Sequence, residues 1–364
     1  MGPLSGYRII ELDGLGHAPM CGLLLADLGA EVILVERPGK AEIGVAPTAS
    51  IERRGKRSIE LDLKVARSVD IILKLVETAD GLIEGFRPGV TERLGLGPTD
   101  CHARNPKLVY GRVTGWGQDG PLAQTAGHDI NYISLAGALD AIGPAGGPPL
   151  PPLNLVGDYG GGAMYLACGL LAGLLEAHRS GQGQVIDAAM LDGVLFQMSL
   201  FLSMKAGGQW RDGRGNNHLD GAAPYYRAYE TKDKKFVAVG ALEQKFYEEF
   251  VDGLGLTISK LPERLDPANW SELIRCFENI LKSKSQEEWL SIFYGRSACV
   301  TPVLSLSEIA DHSHIKMRKS LVENENLIQP SPGPRFSRSS LDPPQTPEEK
   351  GASTENILRE LGLG

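Results

Sequence analysis

The stretch Gly127-His128-Asp129-Ile130-Asn131-Tyr132 sets an imidazole beside a carboxylate, just ahead of an apolar run. Farther on, Asn154-Leu155-Val156-Gly157-Asp158-Tyr159-Gly160-Gly161-Gly162 puts an acid at the end of a short apolar run, then three glycines and a long apolar segment. A third acid, Glu243, lies in Gly240-Ala241-Leu242-Glu243-Gln244. An imidazole and a carboxylate can pass a proton to and from carbon or oxygen. Glycines at a helix start let a ligand approach bare N–H groups, where the helix dipole favours developing negative charge. Each residue alone has an ordinary role. His128 would be a structural histidine, Asp158 a helix N-cap and Glu243 a first-turn acid. As a set near strand ends, they point to a ligand site of an α/β fold.

Several strands and helices must position them. Tyr7–Leu12, Glu31–Glu36, Gly81–Glu84, Lys107–Arg112 and Gln184–Met190 read as strands. Met20–Leu28, Val69–Val76, Gly161–His178 and Leu191–Met204 read as helices. That alternation predicts a parallel, Rossmann-like sheet with right-handed crossovers. Residues 211–220 (RDGRGNNHLD) form a polar, Gly/Asn-rich linker. Beyond it, 225–231 and 235–239 flank the polar turn KDKK and predict an antiparallel hairpin, with amphipathic helices near 244–254, 270–282 and 286–293. The expected division is a large α/β domain over 1–210, a smaller α+β domain over 211–328, and a segment over 329–364 returning to the large domain. Residues 329–351 are Pro/Ser-rich and should run extended over other surfaces, before a short helix over 353–361.

Composition narrows the function. The 364 residues carry 37 Lys plus Arg against 45 Asp plus Glu, a net charge of −8, which argues against a nucleic-acid partner. The cysteines Cys21, Cys101, Cys168, Cys276 and Cys299 are odd in number and form no C-x-x-C, so disulfides and zinc are not expected and a cytoplasmic setting fits. Cys299 reads as buried. The first residues, MGPLSGYRII, show no secretory signal. The apolar stretch 161–175 falls short of the ~18 residues a membrane span requires and reads as a buried helix.

Other patterns have plain readings. Gly14-x-Gly16 between a strand and a helix, with Glu36 ending the next strand, imitates a dinucleotide fingerprint. Pro19 stands where its third glycine belongs, so the fold inference is kept and the nicotinamide cofactor dropped. His312-x-His314 has no third ligand nearby in sequence, and no metal is expected. Arg53, Arg54, Lys56 and Arg57 form a basic cluster that could attract phosphates or be an exposed loop. Trp116 reads as packing or pocket wall.

The chain resembles the alpha-methylacyl-CoA racemases, within the wider family III CoA-transferase fold group. The resemblance rests on VERPGK (35–40), RGKRSIELDLK (54–64), EGFRPGVTERLGLGP (84–98), TGWGQDGP (114–121), GHDINY (127–132), PPLNLVGDYGGG (151–162), GQGQVIDAAMLDG (181–193), LDGAAPYY (219–226), VAVGALEQKFY (237–247) and ACVTPVL (298–304). It implies the family III CoA-transferase fold, in which dimers interlock. It also implies inversion of a 2-methyl-branched carbon next to a thioester carbonyl, through an enolate. By resemblance His128 removes the proton from the S epimer, Asp158 from the R epimer, and Glu243 supports the histidine. Coenzyme A, as part of the substrate rather than a separate cofactor, is expected to meet Arg37, Leu61, Asp62, Leu63, Lys64, Gly85, Phe86, Arg87 and Arg93, and further Gly127, Asp129, Ile130, Asn131 and Tyr132. Backbone N–H groups near Asp129 or the glycine turn are expected to receive the enolate oxygen. The main alternative is a CoA-transferase in which Asp158 is the nucleophile. A second is an idle acyl-CoA-binding protein.

Overall fold

The computed structural model describes residues 1–14, 16–39, 49–324 and 327–363. Lys40 of the VERPGK stretch and most of 41–51 therefore lie outside the described residues, as do Leu15, 325–326 and Gly364. The chain runs from β1 (Arg8–Leu12) through α1 (His17–Asp27), β2 (Glu31–Glu36), β3 (Lys56–Glu60), α2 (Ala66–Val76), β4 (Gly81–Glu84), α3 (Val90–Arg93), α4 (Pro98–Arg104) and β5 (Val109–Thr114) to α5 (Asp129–Leu135). A π-helix, Leu155–Met164, continues into α6 (Tyr165–Ser180), followed by β6 (Val185–Ala189) and α7 (Met190–Gln197). Next come α8 (Ser199–Ala206), β7 (Tyr226–Glu230), β8 (Phe236–Gly240), α9 (Gln244–Gly253), α10 (Trp270–Leu281), α11 (Gln286–Phe293) and β9 (Val300–Pro302). The chain closes with α12 (Ser313–Arg318), β10 (Leu321–Asn324), β11 (Leu327–Pro330) and α13 (Thr354–Glu360).

Six strands form one parallel sheet in the order β3-β2-β1-β4-β5-β6. This is the Rossmann order, and the direction of winding reverses between β1 and β4. Successive side chains leave a strand on opposite faces. Ile9 accordingly joins a core with Leu25 of α1 and Leu166 and Leu170 of α6, while Ile10 joins one with Ile72 of α2, Cys101 of α4 and Ile357 of α13. Burial on both faces explains why these strands read as nearly unbroken apolar runs. Strand β3 (KRSIE) was not expected. One face buries Ile59, but the other hides a charge and a hydroxyl: Lys56 and Ser58 are buried, and Lys56 Nζ meets both Glu11 oxygens at 2.8 and 2.6 Å.

Contacts divide the chain into two compact units, Met1–Ala136 with Pro152–Met198 and Ser313–Gly364, and Gly137–Pro151 with Ser199–His312. Composition placed the changes at 210/211 and 328/329. The polar stretch 211–220 lies inside the second unit, because its side chains hold one another: Asp220 accepts from the Asn216 and Asn217 N–H groups at 3.0 and 3.1 Å. The second unit is an antiparallel sheet, β7-β8-β9, packed on α9, α10 and α11 through Tyr229, Phe250, Phe277 and Trp289. Its hairpin and helices agree with the expected pattern; β9 is an addition. Cys299 is a correction. It is exposed, with φ of 52°.

The π-helix and α6 make one 26-residue rod whose most apolar 18-residue window has a mean hydropathy of 1.3, longer than the stretch expected from sequence and long enough for a membrane span. Its buried side, with Leu166, Ala167, Leu170 and Leu174, packs on the sheet. That is the packing of a core helix.

Candidate active site

The strands of the first unit are parallel, so their C-terminal ends share one edge. Arg37 follows β2, Lys64 follows β3, Gly85–Arg87 follow β4, and Trp116 follows β5. At the β1/β4 switch point the edge opens into a cavity of about 580 Å³. Its walls include Gly16, His17, Gly85, Phe86, Arg87, Trp116, Gly127, His128, Tyr132, Asn154, Asp158 and Met190. Doubly wound sheets bind ligands at such a point.

Local packing fixes the backbone of His128, an exposed residue. It is the N-cap residue of α5, and its backbone N–H donates to Asn131 Oδ1 at 3.0 Å. One turn on, Tyr132 is buried edge-on against Trp116, ring centroids 4.8 Å apart, and its hydroxyl donates to the Gly127 carbonyl at 2.5 Å. A Cβ at Gly115 would stand 2.0 Å from the Tyr132 ring, and one at Gly127 2.8 Å. The TGWG and GHDINY motifs are thus two sides of one contact.

Asp158 lies in the first turn of the π-helix, where Tyr159 N–H donates five residues back to the Asn154 carbonyl at 3.3 Å. It is half-buried. Burial raises its pKa above the ordinary 3.8, while the bond from Asn154 Nδ2 to Oδ2, at 3.3 Å, and the nearby His128 pull it back. The following glycines are a correction. They were expected to clear space for a ligand. Instead they admit protein, since a Cβ on Gly161 would stand 2.8 Å from the Met190 carbonyl and one on Gly160 would stand 2.9 Å from Gln197 Oε1. The π-helix and α7 approach so closely that a Cβ on Gly193 would be 2.0 Å from the Gly161 carbonyl. Nor are the first N–H groups of this turn open to an enolate. Those of Gly157 and Asp158 donate to Asp129 Oδ2 at 2.6 and 2.8 Å.

The remaining residues fall into groups. Gly85, Phe86, Arg87, Gly127, His128, Tyr132 and Asp158 line the cavity. Arg37, Lys64 and Arg93 do not line it; like Arg87, they are exposed cations without an ion pair among the described residues. Leu61 is buried, Leu63 half-buried and Asp62 exposed. Ile130 and Asn131 are exposed on α5, and the Asp129 side chain is engaged internally. Glu243 is the exposed N-cap residue of α9 in the second unit. The basic cluster 53–57 is another correction. Arg53 is paired with Glu36, Arg54 with Asp27, Lys56 with Glu11, and Arg57 with Glu31 and Glu360. Its charges stabilise the edge of the sheet. The same pairing engages Glu36, the acid of the dinucleotide imitation.

Sequence reasoning missed His17. It stands at the start of α1, in the cavity wall, and its Nε2 would be 3.1 Å from a Cβ at Gly85. Burial lowers its pKa from 6.5 to about 4, so the ring is neutral near pH 7. A histidine directly after a Gly-x-Gly turn was the available signal.

Residues 4–350 match the sequence model of CoA-transferase family III. The chain belongs to that family. Among its family III relatives, the alpha-methylacyl-CoA racemase of Mus musculus is 43% identical over 362 residues, covering 99% of this chain and 93% of that one. The alpha-methylacyl-CoA racemase of Homo sapiens is 41% identical, covering 99% and 94%. A crystal structure of a CAIB/BAIF family protein from Brucella suis superposes with a TM-score of 0.84 at 25% identity, covering 99% of each chain. The family III fold expected from sequence is therefore the fold of this chain.

Proposed function

We propose that this family III protein is an alpha-methylacyl-CoA racemase, interconverting (R)- and (S)-2-methylacyl-CoA thioesters. The observation that carries the reading is the placement of His128 and Asp158 on the walls of one cavity, in a chain more than 40% identical to two proteins of that name. A proton alpha to a thioester is weakly acidic, so inversion needs a base on one face and an acid on the other. In the S epimer His128 takes the proton and protonated Asp158 returns one to the opposite face; in the R epimer the roles exchange. The intermediate enolate carries its charge on the thioester oxygen, which requires nearby donors or positive potential. No separate cofactor enters this chemistry.

Arg37, Lys64, Arg87 and Arg93 are assigned to the phosphates of coenzyme A. Their free guanidinium and ammonium groups at strand ends and on α3 suit that role. The reading includes a homodimer in which Glu243 of one protomer supports His128 of the other. The five unpaired thiols are in keeping with a cytoplasmic setting.

The test is proton exchange in heavy water. The enzyme should wash deuterium into the alpha position of either epimer while interconverting them, with no second carboxylic acid present. The family also contains transferases, for which Asp158 would be a nucleophile forming a mixed anhydride. No alpha exchange, strict dependence on an acceptor acid and an Asp158 adduct trapped by hydroxylamine would together replace the racemase reading with that one.

A further inference from the structure

Asp129 sits next to His128 in the chain, yet its side chain serves Asp158. The residue is 5% exposed. One oxygen, Oδ2, accepts from the N–H groups of both Gly157 and Asp158, at 2.6 and 2.8 Å. These donors belong to the first turn of the helix that carries Asp158. That helix lacks a cap of its own, because the side chain of its N-cap residue, Asn154, makes no capping bond. The cap comes from α5, 28 residues earlier in the chain.

The other oxygen, Oδ1, is buried with no hydrogen-bond partner among the described residues. A carboxylate placed there for stability alone would be poorly placed, since burying an unpaired oxygen is costly. Charge-assisted bonds from backbone N–H groups are strong and tightly directed, and a helix N-terminus favours a carboxylate. Burial raises the Asp129 pKa, and the two N–H groups work against that rise by favouring the ion. The resemblance assigned Asp129 to the substrate; its side chain is turned into the protein.

We propose that Asp129 is a positioning residue, whose carboxylate clasps the backbone of Asp158 and so sets that side chain in register with His128. The proposal rests on the racemase reading for the identity of the reaction, and on geometry for the clasp. Misplacing a reacting group by about 1 Å can cost roughly 100-fold in rate.

Asp129→Ala should lower kcat about 10- to 100-fold and leave the KM for a 2-methylacyl-CoA within roughly twofold. Asp129→Asn keeps an acceptor but loses the charge, so kcat should fall about 3- to 10-fold, again without a change in KM. A KM that rises while kcat holds would overturn the proposal and return Asp129 to substrate binding. A kcat within twofold of wild type in Asp129→Ala would also overturn it. If Asp129→Ala does not fold, Asp129→Asn decides, and an unaltered kcat in that variant overturns the proposal. Heavy-water exchange by the wild-type enzyme tests the racemase reading separately. If wild type shows no exchange but transfers coenzyme A, the same two substitutions are scored on transfer, because a nucleophilic Asp158 needs the same placement.

Discussion

Asp158 is under opposing pulls. Burial raises its pKa, and the Asn154 amide and His128 lower it. In its proposed role as the base for the R epimer it must be ionised, so activity on that epimer should fall as pH drops through a pKa lying above the usual aspartate value. Asn154→Ala removes a lowering influence and should move this acid limb to higher pH, read from kcat/KM for the R epimer against pH. A limb that moves downward, or not at all, would mean that another group controls it. Replacing His128 by Ala or Asp158 by Asn should abolish inversion, with losses of about 10²–10⁴-fold. The surviving base would still exchange the proton of one epimer with retention. Arg37→Ala should raise KM more than it lowers kcat, because a phosphate contact is equal in ground and transition states. Loss of kcat at constant KM would place Arg37 in the chemistry instead. At this scale residue type and motif singled out His128 and Asp158, which the fold brings to the walls of one cavity. His17 was signalled only by the Gly-x-Gly turn before it, since its place in the cavity wall depends on the fold, and the Asp129 clasp joins groups 28 residues apart.

Elements were legible where burial follows a simple period. The central strands are coated on both faces and read as apolar runs, and α9, α10 and α11 read as amphipathic helices. Strand β3 was hidden because its interior positions hold Lys56 and Ser58, whose partners lie on other elements. The buried Lys56–Glu11 pair predicts a measurable stability effect. Lys56→Met leaves Glu11 buried without its cation beneath α1, and should cost about 3–5 kcal/mol in denaturant unfolding. The double variant Lys56→Met/Glu11→Leu should recover much of that loss, since a buried pair is often replaced by apolar groups at little cost. An additive double variant would show that the two charges do not interact. The glycines after Asp158 were read correctly as a place of close approach, but the approaching group is α7. Sequence alone does not distinguish a ligand from a helix at such a position.

For the whole molecule, the sequence supported the fold class more firmly than the dividing lines. Composition marks where a chain is polar, whereas the units are defined by contacts, and 211–220 is polar yet internally bonded. The proposed shared-site homodimer makes a quantitative prediction. Neither His128→Ala nor Glu243→Ala should be fully active alone. When the two are co-expressed, a mixed dimer would hold one site with both residues intact and one with neither. Random pairing makes half the dimers mixed, so roughly a quarter of wild-type activity should return. If each site lay within a single chain, no activity would be regained. A fully active monomer in sedimentation would also exclude the arrangement.

The closing segment of the chain has a consequence for how the protein is made. Ile357 of α13 is wholly buried in the core beneath β1, β2 and β4, and the edge strand β3 is tied to residues 348–353 through Ser58, which donates its N–H to Glu348 Oε2 at 2.9 Å and accepts from Gly351 N–H at 2.7 Å. Nearly 300 residues separate those partners. Strands β1 to β3 therefore wait for residues made nearly 300 positions later before their sheet is closed, while the second unit, encoded between them, can complete its own core earlier. Contacts of such long range are slow to form and leave apolar strands uncovered in the interval. A chain terminated shortly before α13 should therefore aggregate, read as its recovery in the pellet where the full chain stays in the supernatant.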